Sequence, residues 1–161
     1  MTTHRLQPLL NPTSIAVLGA SQKSGTVGNE VIVNLRRGGF QGDIYAVNPS
    51  YATVEDIPCY LNLADLPERP DQVIFAISDQ RIEAALDDVI ALGIPACTIF
   101  SALILSDDST PNLKQRIAIK AQSAGLFIAG ANGMGFYNVR DRVLAGGFDT
   151  RDHPYPGNVA L

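Results

Sequence analysis

The chain has 161 residues, of which 46% are hydrophobic and 17% charged, with a formal net charge of −4. This length and balance fit one folded domain with its own core and argue against disorder. The charge leaves no basic footprint for nucleic acid or anionic lipid, so neither is expected as a partner. In chain order, the opening "MTTHRLQPLLNP" carries no long apolar core and no cleavage signature, so no signal peptide is expected. "SIAVLGA" (14–20) is a short apolar run ending in glycine, the pattern of a buried parallel strand. Val27, Val31, Ile32 and Leu35 then recur at helical spacing, and "RRGG" supplies cations and a glycine stop. "DIYAVNP" (43–49) reads as a second strand and "DQVIFAIS" (71–78) as a third. "DQRIEAALDDVIALG" (79–93) sets Ile82, Ala85, Leu86, Val89 and Ile90 on one helical face. "ACTIFSA" (96–102) is a fourth strand, and Thr110-Pro111 has the cap-then-proline look of a helix start. "LFIAG" (126–130) is a fifth strand, running into the glycine loop "GANGMGFYN".

Strands alternating with helices, and continuously apolar strands, predict a parallel sheet covered on both faces. Right-handed crossovers make it an α/β, doubly wound, Rossmann-like domain. Ligands in such folds lie outside the carboxyl ends of the strands, here 19–28, 47–51, 77–79, 100–105 and 130–135, all loop-like in composition. Cys59 and Cys97 are too few for a disulfide framework and lack metal-ligand spacing; both read as buried thiols in a reducing compartment. No run is long enough to cross a membrane, and a cytoplasmic location follows as the default. The Asp pairs at 87–88 and 107–108 read as solvated faces or caps. "DTRDHPYPG" (149–157) resembles a linker, and "NVAL" a strand just beginning, so the chain is expected to be a piece of something longer.

The glycine-rich stretch after the first strand spaces Gly19, Gly25 and Gly28 as G-x5-G-x2-G. A dinucleotide fingerprint needs a second glycine where Ser21 stands, and an acidic residue where the second strand ends at Asn48. A Walker A loop needs a lysine that Gly25-Thr26 lacks. A phosphate nonetheless suits the place, because glycines let the backbone approach and the next helix offers free N–H groups. Ser21, Ser24 and Thr26 could add hydroxyls and Lys23 a charge; the alternative is a tight turn whose Ser24 or Thr26 only caps the helix.

The ordered set "NPTSIAVLGASQKSGTVGNEVIVNL", "GFQGDIYAVNP", "LADLPERPDQVIFAIS" and "AGANGMGFYN" resembles the CoA-binding N-terminal domain of NDP-forming acyl-CoA synthetases. That superfamily includes ADP-forming acetyl-CoA synthetases and the α subunit of succinyl-CoA synthetase. The resemblance implies a CoA-binding domain over 1–148, with 149–161 as linker and first strand of a second domain. It implies a phosphate-holding loop at Ser21, Gln22, Lys23, Ser24 and Gly25, and a nucleotide end near Asn48, Pro49 and Tyr51. Ile77, Ser78, Phe100 and Ser101 would line the rest. Asn132 matches the family's Gly-Pro-Asn-x-x-Gly loop, where Ala131 replaces the proline. "SALILSDDS" and Ile77-Ser78 also depart from the family's Gly-Phe and Val-Pro.

The same resemblance implies an acid–thiol ligase working through an acyl phosphate and a phosphohistidine, completed by other domains that bring ATP or ADP with Mg. This chain would then contribute CoA binding and no catalytic residue, with the remaining ligase domains or a subunit as partners and homo-oligomerisation open. His4 and His153 are expected to be solvent-exposed rather than catalytic. Two other readings stay open: a stand-alone CoA-binding or sensing module, and an NAD(P)-binding oxidoreductase domain. If the loop works by close backbone approach, Gly25→Val abolishes CoA binding and leaves the fold intact.

Overall fold

Residues 4–150 and 155–157 are described in a computed structural model of the chain; His153 and "NVAL" lie outside them. A short helix α1 (Gln7–Leu10) leads into β1 (Ser14–Leu18), whose central Ile15, Ala16 and Val17 are fully buried. A strand of this composition needs cover on both faces, and the fold supplies it. Then come α2 (Val27–Gly38), β2 (Asp43–Val47), β3 (Thr53–Val54), β4 (Ile57–Tyr60) and β5 (Gln72–Phe75). They are followed by α3 (Asp79–Ala91), β6 (Ala96–Ile99), α4 (Leu113–Ala124), β7 (Phe127–Ala129), β8 (Gly135–Asn138) and β9 (Val143–Gly146).

The main sheet runs β3-β4-β2-β1-β5-β6-β7, parallel except where β3 folds back on β4. The strand order reverses at β1, which has β2 on one side and β5 on the other. Alternation along the strands divides the core. Ala16, Val73 and Phe75 join the cluster under α3 and α4, while Ile15, Val17 and Ile74 join the one under α2 and β9. On α2, Val31, Ile32 and Leu35 are fully buried, and the helix ends on Gly39 in the left-handed region at φ 76°.

The five expected strands and the first two expected helices are present. The glycine loop after β7 is only partly a loop: its second half is β8, which pairs with β9 in a separate antiparallel hairpin. That hairpin covers the second face through Asn34, a fully buried side chain on α2 whose Nδ2 donates to the carbonyls of Gly146 (3.0 Å) and Phe148 (2.7 Å). The helix start at Thr110-Pro111 is also corrected. Asn112 is the cap, its Oδ1 accepting from the Gln115 N–H at 2.9 Å while Gln115 Oε1 accepts from the Asn112 N–H at 3.0 Å. Asp108 reinforces this end, accepting from the Leu113 N–H at 2.7 Å and pairing with Arg116 at 2.9 Å; the two hold its carboxyl below the usual range. Lys120 binds Asp87 across to α3, so the first Asp pair is a solvated face and the second contains a cap. Cys97 is buried, which pushes its thiol up to about 12, whereas Cys59 is only half-buried.

Candidate functional site

A groove of about 640 Å³ lies at the carboxyl ends of β1 and β5, where the strand order reverses. This is where a doubly wound sheet leaves a crevice, because successive crossovers leave toward opposite faces. Gly19 makes the turn out of β1 at φ 92°, its N–H bonded to the Val47 carbonyl at 2.9 Å. The following loop is held by its own polar groups. The Lys23 N–H donates to Ser21 Oγ (3.0 Å), the Thr26 hydroxyl donates to the Lys23 carbonyl (2.7 Å), and the Gln22 amide donates to the Thr53 carbonyl (2.7 Å). Beneath it, buried Glu30 accepts from the Gly25 N–H at 2.9 Å.

Helix α2 starts against this turn so closely that a Cβ on Gly28 would overlap the Gly19 carbonyl. Val27 and Gly28 both line the groove, and as the first two residues of α2 their N–H groups have no partner within the helix. An anion placed there would meet two amides and the positive end of the helix dipole. Across the groove stand Phe75, Ile77 and Phe100, an apolar wall. At its edge the Ser101 Oγ is buried and has no hydrogen-bond partner among the described residues.

A second groove of about 340 Å³ continues over α3, sharing Gly19, Asn48, Ile77 and Arg81 with the first. Its apolar lining includes Pro49, Leu61, Leu63, Ala84 and Ala85. Asn48 is the strut between the loops: its Nδ2 donates to the Ala20 carbonyl (2.8 Å) and its Oδ1 accepts from the Ser50 N–H (2.9 Å). Its amide carries no charge, unlike the acid that holds ribose hydroxyls in dinucleotide sites.

Of the residues expected from sequence, Ser21, Asn48, Ile77, Ser78, Phe100 and Ser101 line the first groove, and Pro49 the second. Gln22, Lys23, Ser24 and Gly25 are exposed and line neither. Tyr51 packs against the core under α2, and exposed Asn132 uses its N–H to bind the Ser101 carbonyl at 2.8 Å. Sequence reasoning missed Val27 and Arg81 as lining residues. Each sits in the first turn of a helix that follows a strand, and that position was the available signal. Within the fold Gly25 is needed for its backbone angle: φ is 79°, and an added Cβ would meet no protein atom within 4 Å. The fold itself therefore leaves the loop's outer side open to a ligand's approach. Gly25→Val is expected to cost about 1–2 kcal/mol in denaturant unfolding, and Gly25→Asn clearly less, since asparagine tolerates the left-handed region. Equal losses for the two variants would refute the conformational role.

Among the described residues no cluster of His, Cys, Asp or Glu could hold a metal ion, and no helix is long and apolar enough to cross a membrane. His4 is exposed, as expected, its Nδ1 accepting from the Leu6 N–H.

The profile of a CoA binding domain family matches residues 13–138. The chain is 29% identical over 137 residues to an acetate–CoA ligase [ADP-forming] II of Archaeoglobus fulgidus, covering 84% of this chain and 20% of that protein. In the solved apo form of the dinucleotide-forming acetyl-coenzyme A synthetase 1 of Ca. Korarchaeum cryptofilum, 31% of the chain superposes on 88% of this one, with TM-score 0.80 and 26% identity. A conserved hypothetical protein of Pyrococcus furiosus shares the fold at TM-score 0.60 and 21% identity, over 73% of this chain and 93% of its own. The chain thus spans about a fifth of the length of the curated ligase it matches.

Proposed function

The chain belongs to the CoA binding domain family, and from that premise we propose that its two grooves together hold one coenzyme A for an acyl-CoA ligase of the ADP-forming kind. The observation that carries this reading is the meeting of the unpaired Val27 and Gly28 amides with an apolar wall in one groove that opens into a second. The amides suit the diphosphate. The wall of Phe75, Ile77 and Phe100 suits the pantetheine arm, and the orphaned Ser101 hydroxyl meets one of that arm's amides. The second groove, lined by Leu61, Leu63 and Ala84, suits the adenine.

CoA supplies the thiol that accepts the acyl group. This chain's residues bind and orient it: Asn48 locks the two loops, and Gly28 lets α2 begin within reach of the diphosphate. The acyl-phosphate and phosphohistidine steps, with ATP or ADP and Mg, belong in this reading to other ligase domains or a partner subunit. It carries a cytoplasmic location with it. A stand-alone CoA-binding module is the second reading, favoured by the Pyrococcus furiosus chain, which is nearly all this fold. The NAD(P) reading loses support because Asn48, at the end of the second strand, lacks the charge of the acid expected to hold the ribose.

Calorimetric titration of the 161-residue chain with CoA, NAD and ATP tests the proposal. Saturable heat from CoA, with NAD and ATP markedly weaker, is the expected result. NAD binding without CoA binding overturns it, as does no response to CoA.

A further inference from the structure

We propose that Arg81 reads the 3′-phosphate of coenzyme A, so that this chain selects CoA over 3′-dephospho-CoA; the inference rests on the CoA reading of the two grooves. Among the described residues Arg81 is the only cationic one lining either groove, and it lines both. Among the described residues its guanidinium has no hydrogen bond and no ion pair. Several other arginines are committed, among them Arg36 to the Glu55 carbonyl, Arg69 to the Gly93 carbonyl, and Arg116 to Glu83 and Asp108; neither groove is lined by Arg5 or Arg140, whose side chains are also without a partner among the described residues. Arg81 is exposed, so its guanidinium is free to take an anion at the junction of the two cavities.

The chemistry of the ligand selects which anion. In CoA the ribose links the diphosphate to the adenine. With the diphosphate on the α2 amides and the adenine in the second groove, the ribose lies at the shared boundary formed by Gly19, Asn48 and Arg81. Its 3′-phosphate is the one ligand group there that carries a full charge and has no backbone amides assigned to it. Arg81 is well placed to hold it, being in the first turn of α3 with its N–H on the Ser78 carbonyl at 3.0 Å. The positive end of α3 adds to the same potential. Two acids stand nearby. Asp79 is bonded to the Leu103 N–H at 2.8 Å, and Asp88 lines the second groove two turns further along α3, about 10 Å away by helical rise. A guanidinium meets a phosphate with two parallel N–H donors, a geometry that lysine cannot copy.

The test is to titrate the wild-type chain, Arg81→Gln and Arg81→Lys with CoA and with 3′-dephospho-CoA, after matching their thermal unfolding. The wild type is expected to prefer CoA by about tenfold, the size of one charge-assisted contact. Arg81→Gln is expected to lower CoA affinity to that of 3′-dephospho-CoA while leaving the latter unchanged, and Arg81→Lys to restore part of the preference. An unchanged preference in Arg81→Gln overturns the proposal and leaves the CoA reading standing. Equal losses for both ligands also overturn it, since the side chain would then serve the diphosphate. Failure of the wild type to bind CoA overturns both.

Discussion

Gly28→Ala is expected to destabilise the chain by about 3 kcal/mol or more and to remove CoA binding with it, beyond the usual cost of overpacking. The reason is the atom that would be struck. An added Cβ overlaps the backbone carbonyl of Gly19 and stands 3.2 Å from the Ala20 Cα, neither of which is a side chain that can rotate away. Relief requires α2 to back off the β1 turn, and that retreat carries the Val27 and Gly28 amides away from the groove. Gly133→Ala is the control, since its nearest neighbour would be 3.7 Å away and a change within about 0.5 kcal/mol is expected. Denaturant unfolding of both variants decides the matter: a Gly28→Ala midpoint matching the control would show that the helix start has room to spare.

Phe75→Ala carries the second large effect, a loss of about 3–5 kcal/mol as for other buried aromatics. Phe75 is fully buried at the end of β5, packed in the cluster under α3 and α4, and it also forms part of the groove wall. Stability and affinity should therefore fall together, whereas Phe75→Leu keeps most of the volume and should retain more of both. Unfolding and CoA titration on the two variants separate the roles. If Phe75→Ala unfolds like the wild type, the side chain is not the core element described here.

The parallel strands were legible because burial on both faces writes itself as short apolar runs, as in 15–17 and 73–75. Other parts were not, for identifiable reasons. The β3–β4 hairpin turns through Glu55 and Asp56 in left-handed conformations (φ 48° and 60°), where asparagine or glycine would have announced the turn. The hairpin's second strand also contains Pro58, a residue that argues against a strand. β8 begins in a glycine-rich stretch, and its pairing depends on β9 and on Asn34, which is far away in sequence. The α4 cap was written plainly as Asn112 with Gln115 three residues on, but the preceding Thr110-Pro111 offered a competing start.

The candidate site was legible to the level of loops, not of atoms. The switch-point rule pointed to the strand ends, and Ser21, Asn48, Ile77 and Ser101 lie there. The outer loop residues Gln22 to Gly25 were expected to face ligand because the family resemblance implies it, with the chemistry of Lys23 and Ser24 in agreement. In the structure the Gln22 amide is bonded to a backbone carbonyl, and the donors lining the groove include the helix amides, which a sequence displays identically for every residue. Arg81 is one arginine in an amphipathic helix until folding brings two cavities to its side.

The sheet's outermost strands carry a consequence for assembly. β3 is two residues long and turns on a pair of acids, and β7 at the opposite margin is three. Strands this short present few unpaired amide and carbonyl groups, and the acids repel a neighbour approaching in register. A second molecule cannot continue the ladder far enough to gain a stable hold, so templated stacking into fibrils is suppressed at both margins. At these two margins, a partner gains little from strand pairing and more from the helices and loops beside them, where shape and charge discriminate.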